Sequence, residues 1–323
     1  MKRRLRFALP VVVAVLAGSC TGGDGEPEAV ERETEQFRIG IANFTLCCAY
    51  FIGMDEAAKE EAAFYGNVEV VSTDAGGDAA KFTSDVEDLI AQDIDGVILN
   101  AGPLESAPAA LDALEQAGIP AVMVDRKLTG GPYTSWIGPD NEAIGRQDGE
   151  YIVDRLGGAG KLLVISGGPA DNTIGLARTN GMLSVVEQSD IEVVRAPQFG
   201  EWSEDGGLAV MEDMLAAHSD LDAVFCENDS MCLGAQNAID DAGRTDDIFL
   251  VGVDGQKEAL EAILDGTNYE ATGLNDSDQI GRAGFHRLIA VLAGAVPEKD
   301  TVLPSPLITR DNVARYYDPE SVF

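Results

Sequence analysis

Basic residues and histidine are scarce in this sequence. Its 323 residues hold 22 lysines and arginines against 56 aspartates and glutamates, a formal net charge of −34, and only 2 histidines. So few cations argue against a protein that binds nucleic acids, because phosphate backbones are bound by clustered Lys and Arg that displace counterions. They also disfavour an anionic membrane surface as the partner of the folded body. The shortage of histidine limits metal binding and acid–base catalysis, in which histidine is the usual side chain.

The rest of the composition is that of an ordinary globular protein. Hydrophobic residues make up 45% of the chain and charged residues 24%, which is too apolar for a disordered protein. At roughly 100–200 residues per domain, the length predicts two lobes. The acidic excess indicates a well-solvated surface and says little about the fold, since net charge governs solubility more than architecture.

The N-terminus predicts a secretory signal. An apolar stretch at 7–17 is too short for a membrane span, and it follows four basic residues, Lys2, Arg3, Arg4 and Arg6. Its end resembles the lipobox of bacterial lipoproteins, in which Cys20 becomes the lipidated first residue, although Leu16 lies four residues before that cysteine and not the usual three. Ordinary cleavage is the alternative. We expect a lipoprotein signal peptide over 1–19 and, because the next segment is Gly- and Glu-rich, a disordered tether over 20–36.

Four cysteines remain once Cys20 is assigned to lipid. An even number in an oxidising compartment suggests disulfides. Cys226 and Cys232 could close a short loop if the chain turns back and brings their Cα atoms within reach. The adjacent Cys47 and Cys48 could form a vicinal disulfide, but such a ring is strained, so free thiols or a metal pair are alternatives.

Short apolar strands alternate with helices along the body. Strand candidates lie at 37–42, 67–72, 96–100, 121–124, 161–165, 191–196, 223–226 and 249–253. Regular alternation with unbroken apolar strands predicts an α/β fold, in which parallel sheets are covered on both faces. Two such runs predict two doubly wound lobes. Ligands in such sheets bind beyond the carboxyl ends of the strands, so the polar residues found there are the candidates for a site.

The residues after these strands combine aromatic rings with Asp, Asn and Arg. They are Tyr50, Phe51, Asp125, Arg126, Asp171, Asn172, Trp202, Asn228, Asp254 and Asn275. The set holds no nucleophile–base pair and no metal cluster. It suits a polyhydroxylated ligand, because carboxylates, amides and guanidinium groups hydrogen-bond hydroxyls and aromatic faces pack on the C–H faces of a sugar ring.

Four stretches carry a resemblance to a known family. They are VMVDRK at 122–127, VFCENDSMCLGA at 224–235, LVGVDG at 250–255 and SDQIGRAG at 277–284. With these motifs and their spacing, the chain resembles the ribose- and galactose-type periplasmic sugar-binding proteins, relatives of the effector domain of the lactose repressor. The resemblance covers about residues 37–310, nearly the whole body.

The resemblance implies the type I periplasmic binding protein fold, with two doubly wound lobes joined by a three-segment hinge. It implies an N-terminal lobe of residues 37–139 plus 276–304 and a C-terminal lobe of residues 140–275 plus 305–323. A monosaccharide, or a related polyol or sugar derivative, is expected to be clamped between the lobes. No cofactor, no metal and no catalysis are expected.

The resemblance also implies the partners and the location. We expect a monomer exported across the cytoplasmic membrane, lipid-anchored at its outer face or periplasmic, that delivers its ligand to the membrane permease of an ABC importer. A sensor that presents ligand to a chemoreceptor or histidine kinase is the alternative. Transcription regulation is disfavoured by the export signal and by the lack of an N-terminal helix-turn-helix. An enzyme is disfavoured because no Ser–His–Asp set is visible.

Several residues match the family's binding motifs. Tyr50 and Phe51 match the stacking aromatics of the first loop, although either could simply be core. Asp125 and Arg126 match the pair that binds sugar hydroxyls, with a solvated ion pair as the alternative. Trp202 matches the stacking aromatic of the second lobe, with plain packing as the alternative.

Further matches fall in the second lobe and the hinge. Arg178 matches an Arg on the second-lobe wall, although it could only brace its helix. Asn228 and Asp254 match the Asn of an Asn-Asp pair and the Asp after the last long strand. Asn275 lies where the family often has a polar hinge residue, commonly Gln. Asp229 is expected to order its loop or cap the next helix.

Other positions depart from the common pattern. Asp171 and Asn172 resemble the xylose-binding branch, with helix capping as the alternative. Cys47 and Cys48 replace polar residues before the first aromatic, so Cys48 would offer an apolar sulfur surface where Asn is common. Val253 replaces an aromatic. The ligand could therefore be a deoxy, methylated or otherwise less polar sugar, a hypothesis that fails if replacing both cysteines with serine leaves the affinity unchanged.

Overall fold

The computed structural model describes residues 36–100, 102, 106–128, 130–168 and 173–323. The predictions for the signal peptide, for the lipidated Cys20, for the tether up to residue 35 and for Asp171 and Asn172 lie outside these residues. None of the helices in the described ranges is both long and apolar enough to cross a lipid bilayer.

The first lobe is built on a parallel sheet of six strands. In spatial order these are Asp300–Val302 (β11), Ser135–Gly138 (β5), Ala121–Val124 (β4), Gly96–Asn100 (β3), Phe37–Asn43 (β1) and Val68–Asp74 (β2). Its helices are Ala49–Ala63 (α1), Ala79–Ala91 (α2), Pro108–Ala117 (α3) and Ser277–Leu292 (α9). One edge strand and one helix of this lobe therefore come from chain that lies beyond residue 275, far in sequence from its other elements.

The second lobe repeats this arrangement. Its sheet runs Leu307–Thr309 (β12), Tyr269–Leu274 (β10), Phe249–Asp254 (β9), Ala223–Cys226 (β8), Ala159–Ile165 (β6) and Asp190–Arg195 (β7). Its helices are Asn141–Leu156 (α4), Ile174–Val186 (α5), Glu204–Ala217 (α6), Asp229–Asp241 (α7) and Lys257–Asp265 (α8). All strand pairs are parallel except the edge pair, in which β12 runs antiparallel to β10.

Both sheets are covered on two faces, as their unbroken apolar strands predict. In β3, Val97 and Leu99 pack in a layer with α2 and α3, whereas Ile98 packs in the opposite layer with α1 and α9. The chain crosses between the sheets three times, from β5 to α4, from β10 to α9 and from β11 to β12. The predicted α/β fold with two doubly wound lobes and a three-segment hinge is confirmed.

Helices α4 and α5 pack with their backbones in contact. A Cβ atom on Gly145 of α4 would overlap the backbone carbonyl of Arg178 on α5, and Gly149 makes a similar approach to Met182. Glycine is needed where two backbones come this close. Asp140 begins α4 as its N-cap, its Oδ1 accepting a hydrogen bond from Ala143 N at 2.9 Å. The position of Arg178 is therefore fixed by helix packing as well as by its side-chain partners.

Asp148 is a carboxyl buried in the same apolar layer. It lies on α4 between Ile144 and Ile152 and faces Gly273 of β10, and neither of its oxygens has a hydrogen-bond partner among the described residues. Burial raises the pKa of Asp148 well above its ordinary value, and the charge of Asp229 raises it further. A raised carboxyl pKa contributes stability only at low pH, and that contribution is lost as the pH rises through the folded-state pKa.

We therefore predict that Asp148→Asn, which keeps the size of the side chain and removes its ionisation, stabilises the protein at alkaline pH. The free energy of unfolding should exceed that of the parent by ~1–3 kcal/mol near pH 8, and the two should converge toward pH 4, where the unfolded-state carboxyl protonates. Urea unfolding across this range measures the difference. Asp154→Asn, at an exposed position of the same helix, is the control and should change little. Identical pH slopes for parent and Asp148→Asn would contradict the prediction.

Candidate functional site

The carboxyl ends of the central strands of both sheets carry the predicted polar residues. Asp125 follows β4 of the first sheet, Asp254 ends β9 of the second, and Asn275 follows β10. Burial raises the pKa of the Tyr50 hydroxyl, and the negative charges of Asp125 and Asp254 raise it further. The charges of Asp125 and Asp254, one from each lobe, thus both act on the Tyr50 hydroxyl. The polar residues at the strand ends of the two sheets therefore lie near each other.

Tyr50 and Asp125 form the first-lobe wall. Tyr50 stands in the first turn of α1 and donates a hydrogen bond from its hydroxyl to Asp125 Oδ1 at 2.8 Å. The Asp125 carbonyl accepts from Trp136 Nε1 at 3.1 Å, and its backbone N–H donates to the carbonyl of Ile137 at 2.9 Å. Asp125 has a φ of 63°, a left-handed conformation that is strained for a residue with a side chain. Both neighbours hold it there.

Arg178 and Asp254 form the second-lobe wall. Arg178 Nη2 lies 2.8 Å from Asp254 Oδ1, and the guanidinium also donates to the Glu227 carbonyl at 2.6 Å and to Asn141 Oδ1 at 2.9 Å. Only 3% of Arg178 and 8% of Asp254 is exposed. Because three acceptors bind the planar guanidinium group of Arg178, it cannot rotate, and the ion pair with Asp254 is held in one geometry.

The charge of Asp254 is finely balanced. Burial raises the pKa of this carboxyl to about 7, against the opposing effect of the Arg178 cation. Asn275 Nδ2 donates to Asp254 Oδ1 at 3.2 Å, and Asn275 Oδ1 is buried with no hydrogen-bond partner among the described residues. Asp254 and Asn275 therefore offer a carboxyl group and an amide oxygen, both of which can accept hydrogen bonds from the hydroxyl groups of a ligand.

Trp202 lies beside this wall. Its indole packs against Gly167, where a Cβ atom would overlap the ring, and its edge approaches Gly175, where a Cβ atom would first meet the Glu227 carboxylate. Trp202 itself has a φ of 59° and is half-buried. The ring also packs against the core of the second lobe. Its stacking on a ligand stays a prediction.

Asn228, which follows β8, also has a structural role as the N-cap of α7. Its Oδ1 accepts from Met231 N at 3.0 Å as the N-cap of α7, and its Nδ2 donates to the Trp202 carbonyl at 3.3 Å. Asp229 orders the loop after β9, accepting at one oxygen from the N–H groups of Gly255 and Gln256 at 2.8 Å each. The cap thus falls on Asn228, and its direct role toward a ligand stays a prediction.

The remaining predicted residues lie around the same opening. Phe51 packs edge to face on Tyr50, with ring centroids 5.3 Å apart, and Arg126 is half-buried directly after Asp125. Cys48 is exposed at the start of α1. Contact of these three residues with a ligand stays a prediction.

The cysteines divide into a bonded pair and a free pair. Cys226 and Cys232 form a disulfide with Cα atoms 5.5 Å apart, because β8 ends and α7 begins between them and the chain turns back. Cys47 and Cys48 are free, exposed thiols, the alternative to the vicinal disulfide. Among the described residues, no three His, Cys, Asp or Glu side chains come together as a metal site.

A buried polar network at the ends of β1 and β3 was missed in the sequence. Asn43 Nδ2 donates to Asp55 Oδ1 at 2.9 Å and to Ser72 Oγ at 3.0 Å, and Asn100 Nδ2 donates to Asn43 Oδ1 at 2.7 Å. A second donation from Asn100 reaches the carbonyl of Phe51 at 3.4 Å. The available signal was an Asn closing each of two apolar strands, FRIGIAN and GVILN. This network supports α1 from below, and with it the aromatic pair.

The C-terminal segment also reaches the site. The ring of Phe323 packs edge to face on Tyr50, with centroids 5.2 Å apart. Lys257 Nζ of α8 donates to the Ser321 carbonyl at 2.7 Å, which anchors this segment on the second lobe. One short piece of chain therefore joins the second lobe to the aromatic ring that orients Asp125.

Comparison with known proteins gives a consistent result. Residues 39–295 match the profile of the periplasmic binding protein domain. The ribose import binding protein of Bacillus subtilis (strain 168) is 32% identical over 276 residues, covering 85% of this chain and 88% of that protein. A xylitol-binding protein of Mycolicibacterium smegmatis is 29% identical over 308 residues, covering 95% of this chain and 86% of that protein.

Solved structures show the same likeness. An ABC transporter solute-binding protein from Mycobacterium smegmatis with bound glycerol superposes with a TM-score of 0.81 at 33% identity, covering 88% of this chain and 98% of that one. The fructose-binding periplasmic domain of a hybrid two-component system superposes with a TM-score of 0.77 at 29% identity, covering 87% of this chain and 93% of that one.

Proposed function

Because this chain belongs to the family of periplasmic sugar-binding proteins, the type I solute-binding proteins, we propose that it is a monomeric lipoprotein that delivers a sugar or polyol to an ABC importer. The family consists of binding proteins, not enzymes, and implies an extracytoplasmic location. The observation that carries the proposal is the pairing of Tyr50 with Asp125 and of Arg178 with Asp254 on opposing walls. Relatives named for ribose and xylitol, and a neighbour with bound glycerol, support a ligand rich in hydroxyls.

The two walls act together only when the lobes are closed. We propose lobes of 37–139 plus 276–304 and of 140–275 plus 305–323, which the sheet membership of β11 and β12 supports. A ligand that contacts both walls favours the closed form, because contacts with the second wall are gained only on closure. Closure buries the ligand, so a hydroxyl left without a partner costs ~1–3 kcal/mol. Specificity follows from this cost.

A titration panel tests the proposal. Calorimetry and thermal melting of the full chain with D-ribose, D-allose, their deoxy and methylated derivatives, xylitol, myo-inositol and glycerol should identify a ligand, which at 100 times its Kd adds ~2.7 kcal/mol of stability. Asp125→Asn on the first wall and Asp254→Asn on the second should each weaken its binding. No shift with any of these compounds would count against a sugar or polyol ligand, and conversion of a bound compound to product would count against a binding protein.

The cysteines near the first wall bear on the kind of sugar. Cys48 offers sulfur where an amide would hydrogen-bond a hydroxyl, so we propose a ligand with an apolar group on that side, such as a deoxy or methylated sugar. A Cys47→Ser/Cys48→Ser variant should then favour the fully hydroxylated analogue more than the parent does. If the ratio of the affinities for the two analogues is the same in the parent and in the variant, the idea is refuted.

The lipid anchor is tested separately. We propose that Cys20 carries the lipid and that residues 20–36 tether the body to the outer face of the cell membrane. Cys20→Ala should move the protein from the membrane fraction to the soluble exported fraction. A parent protein already found in the soluble exported fraction would indicate ordinary cleavage near Ser19.

A second candidate function is ligand presentation to a receptor. The similarity to the fructose-binding domain of a two-component system supports it. Uptake of radiolabelled ligand separates the two functions, because deletion of the protein abolishes uptake if it serves an importer. If it serves a sensor, deletion leaves uptake intact and removes the transcriptional or chemotactic response.

Phe323 provides a test of the aromatic contact. Aromatic pairs are worth about 0.5–1.5 kcal/mol beyond burial, so Phe323→Ala should weaken binding of the panel ligand roughly 2–10-fold by loosening Tyr50. Phe64→Ala, at a position 81% exposed just beyond α1, is the matched control and should leave the affinity unchanged. Equal affinities for Phe323→Ala and the parent would show that the contact does not position Tyr50.

A further inference from the structure

Two adjacent thiols stand where the first lobe meets the cleft. Cys47 and Cys48 are free and exposed in the loop between β1 and α1. Cys48 is the residue before the first residue of α1, and its carbonyl accepts the hydrogen bond of Ile52 N at 3.1 Å. Tyr50, the ring that holds Asp125, follows two residues later. Any rearrangement of the pair is therefore transmitted to the first turn of α1.

The thiols are chemically unequal. A hydrogen bond from the Cys48 thiol lowers the pKa of Cys47 to about 6. The same bond raises the pKa of Cys48, and the negative charge of Asp254 on the opposite wall adds to that effect. Cys47 is thus the reactive thiolate at neutral pH, and Cys48 is the proton donor beside it. Asp254 of the second lobe is therefore near enough for its charge to act on Cys48.

We propose that Cys47 and Cys48 form a redox site at the cleft, whose closure to a vicinal disulfide weakens ligand binding. The effect on binding rests on the proposed sugar or polyol function, whereas the redox site itself does not.

The oxidant is a disulfide, of a small thiol or of a thiol–disulfide oxidoreductase. The Cys47 thiolate attacks one sulfur of that disulfide, forms a mixed disulfide and expels the first thiolate, which takes up a proton. Cys48 then loses its proton and attacks the Cys47 sulfur, expelling the second thiolate, which takes up that proton. Two protein thiols and one disulfide become one protein disulfide and two free thiols, so electrons and atoms balance.

Closure cannot leave the backbone as it is. Adjacent Cα atoms lie about 3.8 Å apart across a trans peptide, whereas bonded cysteines usually have Cα atoms roughly 4.4–6.8 Å apart. The peptide between Cys47 and Cys48 must therefore distort at the start of α1. The strain makes the bond easy to reduce again, as is typical of labile disulfides. Cys226 and Cys232, by contrast, are fully buried with Cα atoms 5.5 Å apart and are expected to stay oxidised.

The coupling works in both directions. If the vicinal disulfide weakens ligand binding, bound ligand must by the same factor disfavour the disulfide, because linkage between two sites is reciprocal. A ligand that fixes Tyr50 against Asp125 would hold the thiol form. The cleft would then bind more tightly under reducing conditions than under oxidising ones.

A redox titration tests the site without any ligand. The full chain is equilibrated in buffers of oxidised and reduced glutathione with a chelator, quenched with iodoacetamide and mapped by peptide mass spectrometry, which reads residues 47–48 apart from Cys20. The pair should pass from two alkylated thiols to an unalkylated disulfide within one peptide, while Cys226–Cys232 stays bonded throughout. A pair that stays alkylated in oxidised glutathione, or that links only to other molecules, would overturn the proposal.

The coupling is read in two ways. Hydrogen exchange of the first turn of α1 should be faster in the oxidised form, and the affinity for whichever panel compound binds should fall at least tenfold. Cys47→Ser/Cys48→Ser should show neither response, and Cys47→Ser alone should block disulfide formation. Unchanged exchange and affinity on oxidation would reject the coupling. If no panel compound binds, the proposed function fails, and hydrogen exchange still decides whether the pair acts on α1.

Discussion

Arg178→Met is expected to abolish binding of any panel sugar or polyol and to lower the free energy of unfolding by ~3–5 kcal/mol. The substitution keeps much of the length of the side chain and removes its charge. Asp254, only 8% exposed, would then lose its cation and must either take up a proton or stay charged without a partner, and the Glu227 carbonyl would lose its donor. The unpaired group is the main cost, because removing one partner of a buried pair leaves the other charge uncompensated.

Urea unfolding and calorimetric titration measure the two effects. Arg146→Met is the control, because Arg146 lies on the neighbouring helix α4 in an exposed ion pair with Glu142 and should contribute ~0–1 kcal/mol. Arg178→Met/Asp254→Leu removes both charges and should recover much of the stability while binding remains lost. An Arg178→Met protein as stable as Arg146→Met would show that the pair is effectively solvated.

Asp229→Ala is expected to destabilise the second lobe by ~3–5 kcal/mol. Asp229 is fully buried at the start of α7. It accepts hydrogen bonds from the Tyr269 hydroxyl at 2.6 Å, from the Thr272 hydroxyl at 2.8 Å and from the N–H groups of Gly255 and Gln256 at 2.8 Å each. Its removal leaves the two hydroxyls and the Gln256 N–H without this acceptor, while the Gly255 N–H keeps only a bond to Thr272 Oγ1 at 3.2 Å. An unmade buried hydrogen bond costs about 1–3 kcal/mol.

The loss should also reach the site. Gly255 directly follows Asp254, so a loosened loop after β9 displaces the carboxylate that faces Arg178. We expect weaker ligand binding together with faster hydrogen exchange in residues 254–257. Asp241→Ala, at an exposed position of the same helix, should change stability by no more than ~0.5 kcal/mol. Stability within that margin for Asp229→Ala would contradict the role given to the network.

Local patterns in the sequence predict the central strands because these strands carry their own signal. The strands β3, β4, β8 and β9 are apolar runs, and β1 is interrupted only by Arg38; all five were predicted to within one residue at their ends. The strands β5 and β10 were missed, because SWIG is short and YEATGL carries Glu, Thr and Gly. The edge strands β11 and β12 have three residues each and are held by pairing with remote strands, which no local window can register.

The site divides in the same way. The motifs identify Tyr50, Asp125, Arg178 and Asp254 as candidates. They do not show that these residues form two pairs, in each of which the partners lie about 75 residues apart in the chain. Those pairings depend on the order of strands in each sheet, which is a tertiary property. The packing of Phe323 on Tyr50 had no signal at all, because it depends on the path of the whole C-terminal segment.

The crossing of the chain between the sheets constrains the order in which the protein can fold. The layer of the first lobe that contains Ile98 needs Ile280, Phe285 and Leu288 of α9, and the sheet edge needs β11. The ribosome makes these elements only after residues 140–275, which hold all the helices and five of the six strands of the second lobe. A nascent first lobe therefore keeps one apolar face open until about nine-tenths of the chain exists, whereas the second lobe has all its helices by then. We expect the second lobe to gain protease resistance first and the first lobe to acquire its protection late, in a step limited by long-range contacts.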